Sequence, residues 1–196
     1  MLDARYWILD NNRKSNMKES PQAQNLEKLL RSSKLVAGGF MGDDVRSFCE
    51  IIDADMAELS RLRFTVKQVA ERMKQITNIA ISGLGTWVKV DEKRQAKVDE
   101  AKGLLTCPWP HPGKFAKRIT IVRLAKSDIS IRWSDLNIHL IGVHGFFEGK
   151  GSKFRIEPKK LITTIFVCKA TAPHAQSNLS NFPATITNGQ KRPKVR

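Results

Sequence analysis

A chain of 196 residues, 41% of them hydrophobic, is long enough for one packed domain and leaves little for a second. Its formal net charge of +15, from 34 lysines and arginines against 19 acids, attracts polyanions: nucleic acid, anionic lipid or acidic protein. Three scattered cysteines, Cys49, Cys107 and Cys168, exclude a disulfide framework and suit a reducing compartment. No run approaches the ~18 apolar residues of a membrane span. The start of the chain lacks a basic stretch followed by an apolar one, so the expected location is the cytoplasm.

Residues 1–40 read as a mostly disordered extension, because 10–25 are polar and without apolar period. Ser20-Pro21 offers an N-cap and first helical residue for a short helix carrying Leu26, Leu29 and Leu30. The folded domain is expected over 41–168. Its first helix enters at Asp43 and Asp44 and repeats Val45, Phe48, Cys49, Ile52, Met56 and Leu59 at three- and four-residue steps. Thr65 caps a second helix carrying Val66, Val69, Met73, Ile76 and Ile79, which Gly83 and Gly85 end. The two form a helical hairpin.

The period then falls to 2. Trp87, Val88 and Val90, the turn 91–94, and Ala96 and Val98 make a short hairpin. The corner Cys107-Pro108-Trp109-Pro110-His111-Pro112-Gly113 must be irregular, because each proline removes a backbone donor. A stronger hairpin pairs Ile119, Ile121 and Val122 with Ile129, Ile131 and Trp133 around a turn at 125–128. Ser134 caps a central helix to about His144, and Glu157-Pro158 opens a last one. Residues 169–196 contain no acid and read as a disordered basic tail. Helices first, then hairpins, then helices give an α+β fold with a small antiparallel sheet.

Two groups of residues point to chemistry. In the loop 145–155, glycines and phenylalanines alternate with Lys150, Lys153 and Arg155. With Lys117 and Arg118 these are the expected phosphate contacts, so the leading expectation is a non-enzymatic protein associated with nucleic acid through backbone charge. The second group is Asp135, His139 and His144 with Cys107 and His111, candidates for a small enzyme or metal protein. Asp135 and His139, four apart on a helix, share a face, as an acid orienting an imidazole would. His139 and His144, five apart, differ by about 140° and point to different sides. Cys107 and His111 supply two metal ligands, but a structural site needs four and no second close pair exists, so the sequence assigns no metal and no cofactor. A module for a protein partner, with apolar surface near Trp109 and Phe154, is the third expectation.

Overall fold

The computed structural model describes residues 20–125 and 127–166. Lys126, Cys168, residues 1–19 of the expected extension over 1–40, and the expected tail over 169–196 lie outside them. The fold is α+β, and among the described residues it has five helices and a four-stranded antiparallel sheet in the order β1-β2-β3-β4. Among the described residues no helix is long and apolar enough to cross a membrane.

Helix α1 (Pro21–Arg31) forms where the cap residues place it: Ser20 Oγ accepts from the Ala23 N–H at 3.1 Å, and Pro21 occupies the first turn, where its missing N–H costs nothing. Ala23, Leu26 and Leu30 bury its inner face. Helix α2 (Phe48–Arg61) starts later than the acidic pair suggested. Ser47 and Glu50 form a reciprocal capping box that fixes the first turn. Val45 is therefore outside the helix and 93% exposed, and Asp44 binds Arg46 instead of facing a helix end. Helix α3 (Val66–Ile81) opens with the expected Thr65 cap, completed by Gln68.

Strand β1 (Val88–Lys89) pairs with β2 (Arg94–Thr106), which runs on beside β3 (Lys114–Leu124); β3 pairs with β4 (Ser130–Ser134). The long β2–β3 pairing was not foreseen. Residues 99–103 are polar or small and, like Leu104, exposed, so they carry no alternating signal, and the register shifts between Glu100 and Leu104. Helix α4 (Asp135–His144) has the expected Ser134 cap and ends on Gly145, at φ 66°. Helix α5 (Pro158–Ile165) closes the described chain.

Two buried clusters make the core. One lies between α3, α5 and the inner sheet face, with Met73, Ile76, Val122, Trp133 and Phe147. Inside it, Trp133 Nε1 donates to Thr77 Oγ1 at 3.0 Å, and Thr77 shares a 2.8 Å hydrogen bond with Thr120. The second joins α1, α2 and the proline corner through Leu30, Phe40, Ile51, Trp109 and Phe146. Helix α4 belongs to both, giving Ile141 to the first and Leu136 and Leu140 to the second. That is why its sequence is apolar on more than one side.

Candidate metal centre

The proline corner and the last turns of α4 meet at one point. Cys107 N–H donates to the Gly113 carbonyl at 3.1 Å and closes the corner, so Cys107 and His111 face the same way. Trp109 anchors the corner from within. Its indole stacks on the His144 ring, with centroids 4.2 Å apart and planes 8° from parallel, and meets Phe48 edge-on. Trp109 is only 5% exposed, so it is not the apolar surface expected for a protein partner.

The ligand atoms converge. Cys107 Sγ lies 3.2 Å from His111 Nε2 and 3.5 Å from His144 Nε2. His111 Nε2 lies 3.0 Å from His144 Nε2 and 3.3 Å from His139 Nε2. One ligand atom from each of the four residues falls within 4.8 Å of every other. Zinc bonds of about 2.0–2.1 Å to nitrogen and about 2.3 Å to sulfur give a tetrahedron with edges of about 3.3 Å and about 3.6 Å. The spacing in the cluster is close to those edges.

The sequence assigned no metal because the second pair of ligands had to come through the fold, and it does. His139 and His144 do leave α4 in different directions, but both border the sector between them, and His111 from the corner fills that sector. The three imidazole centroids are 5.0–5.1 Å apart. The helical angle alone was a correct exclusion of a two-histidine site on one face and the wrong test for a site completed from another element.

The protonation state suits a cation. Pro112 has only a carbonyl to offer, 3.1 Å from His111 Nδ1, so Nδ1 holds the proton and Nε2 presents its lone pair. Burial, reinforced by the neighbouring rings, lowers His139 to about 4 and His144 to about 3, so both are neutral at pH 7. Burial raises the Cys107 thiol to about 11, opposed by a hydrogen bond from the Trp109 backbone. The cluster is three imidazoles and a thiol packed around one point.

Asp135 does not orient His139. Its carboxylate pairs with Arg118 at 2.9 Å, and Arg118 also binds Glu100 at 3.0 Å. The expected phosphate ligands are likewise divided. Arg155, half-buried, lies between Asp55, at 2.7 Å, and Glu157, at 3.1 Å, so its charge is answered within the fold. Lys117, Lys150 and Lys153 stay exposed, and no ion pair is formed by them among the described residues.

Two buried charged groups escaped the sequence reading. Arg94, placed in a turn, is 2% exposed and donates to the carbonyls of Thr164 and Phe166, tying β2 to the end of α5. Glu148 is 3% exposed, accepts from Asn137 Nδ2 at 2.6 Å and from Ser152, and is pushed up to about 7 by burial. Neither had a periodic signal: Arg94 answers carbonyls at the end of α5, and Glu148 answers Asn137 on α4 and Ser152 in its own loop. No protein-family model matches this chain, and no curated protein and no solved structure is significantly similar to it.

Proposed function

We propose that this is a metal-binding protein in which Cys107, His111, His139 and His144 hold one zinc ion. The convergence of four ligand atoms, all within 4.8 Å of one another, carries the reading. One thiolate and three imidazoles suit zinc, and four protein ligands leave no open position for substrate, so the centre is structural. It would fasten the proline corner to the end of α4, where the second core cluster meets the sheet. A thiolate ligand fits the reducing cytoplasm.

Metal analysis of the full chain purified without chelator tests this. The expected result is one zinc per chain, falling at least tenfold in Cys107→Ser and His144→Ala. Zinc-free protein that also fails to compete with a micromolar chromophoric chelator overturns the proposal.

Contact with nucleic-acid phosphates is a second, separate reading. It is supported by cations that lack a carboxylate partner among the described residues, Lys150, Lys153, Lys159, Lys160 and Arg132, and by the +15 charge. Arg118 and Arg155 drop out of it. Affinity should fall steeply with salt.

A further inference from the structure

The helices cover one face of the sheet and leave the other open. On the inner face, Ala96, Val122 and Ile131 stand in one cross-strand row, and Val98, Thr120 and Trp133 in the next. The alternate residues therefore point outward. The outward rows are Lys89, Gln95, Arg123 and Ser130, and then Lys97, Ile121 and Arg132.

Aromatic rings border the face at both ends, each beside cations. The Arg123 guanidinium lies 3.9 Å from the centroid of the Trp87 ring, and Lys97 Nζ lies 5.8 Å from it. Trp87 is 36% exposed. At the other end, half-buried Phe154 lies 5.5 Å from Arg132 and 6.0 Å from Lys153. Two shallow grooves join these ends. Trp87, Gln95 and Arg123 line the first, Arg132, Lys153 and Lys160 line the second, and Ile121 and Ser130 belong to both. Acids are few: Asp99 is held by Lys97 at 3.1 Å, Glu157 by Arg155, and Asp128 stands at the rim of the first groove.

We infer that this open sheet face binds single-stranded nucleic acid, with bases stacked on Trp87 and Phe154 and phosphates held by Arg123, Arg132, Lys153 and Lys160. The inference rests on the second reading above and adds where the strand lies and which form it takes. Stacking requires an unpaired base, which a duplex does not offer, and an aromatic face accepts any base. An anionic lipid surface also accepts rings beside cations, so vesicles are an arm of the test. Arg123 and Gln95 already form hydrogen bonds at 2.8 and 3.0 Å, so the indole–guanidinium stack is set before a strand arrives.

Fluorescence anisotropy of the full chain with labelled oligonucleotides of about twelve residues is the test. Oligouridine, oligothymidine and a duplex of equal length are compared at low salt, with phosphatidylserine vesicles as a further arm. A single strand is expected to bind at least tenfold more tightly than the duplex, and the uridine and thymidine arms distinguish RNA from DNA. Trp87→Ala and Phe154→Ala should each weaken binding by about tenfold, with Trp87→Phe and Phe154→Tyr retaining most of it. Arg132→Gln should reduce the slope of log affinity against log salt by about 0.7. Equal binding of single strand and duplex, unchanged by the ring substitutions, overturns the placement on the sheet and leaves the charge reading standing. Binding of vesicles alone, or of nothing, overturns both.

Discussion

Thr77 shows how one hydroxyl can organise a buried layer. It accepts from Trp133 Nε1 and shares a proton with Thr120, so two groups from the sheet depend on one side chain of α3. Thr77→Val keeps the shape and removes both partners. The expected cost is about 1–3 kcal/mol, read by denaturant unfolding, because the buried donor of Trp133 is left unpaired. Glu148 gives the opposite case, a carboxyl whose burial favours its proton. Its ordinary value of 4.5 rises to about 7 in the fold. Between those values the native chain holds a proton that the unfolded chain has lost, so this group's contribution to stability declines as pH rises from 4.5 to 7 and is constant above. The shift corresponds to about 3 kcal/mol. Glu148→Gln keeps an acceptor for Asn137 and removes the titration. Stability curves of the two proteins should meet near pH 5, with the variant the more stable at pH 8; parallel curves would refute the assignment.

Elements here are joined backbone to backbone as much as side chain to side chain. The segment 40–43 runs against 149–152, with Gly149 N–H donating to the Phe40 carbonyl at 2.9 Å and Asp43 N–H to that of Lys150 at 3.0 Å. A Cβ on Gly149 would lie 2.2 Å from the Met41 carbonyl oxygen, and one on Gly42 would lie 2.2 Å from Ser152 N. Gly149→Ala should therefore cost about 1–3 kcal/mol, seen as a lower unfolding midpoint, since backbone cannot move aside as a side chain tip can. Caps and stops were the most legible parts of this chain. Ser20, Thr65, Ser134 and Gly145 each fix a helix end through bonds to residues three or four positions away, which a sequence displays directly. Val45 misled because its spacing fitted the buried face while the Ser47–Glu50 box set the boundary. The outer half of β2 was silent because both its faces meet water.

At the scale of the whole molecule, the candidate centre was legible only as ingredients. Cys107 and His111 stand four apart and can be paired on paper. Their meeting with His139 and His144 depends on α4 being buried in both clusters and on Trp109 drawing the corner inward, which no local pattern encodes. Distance in sequence likewise hid Asp55 from Arg155 and the end of α5 from Arg94. If zinc binds with a thousandfold excess of free metal over its dissociation constant, linkage adds about 4 kcal/mol of stability. For a chain of this length, chelation should then lower the thermal midpoint by about 8–16 °C, and re-addition of zinc should restore it; a midpoint indifferent to chelator would argue against a structural role. The face-to-face packing of Trp109 on His144 carries one more consequence. If His144 holds zinc as proposed, the indole against its ring makes the protein its own optical gauge of loading. Cobalt, an open-shell ion accepted by zinc sites, should dim the emission of Trp109 in step with occupancy, while closed-shell zinc should not, and Trp109→Phe should blind the signal.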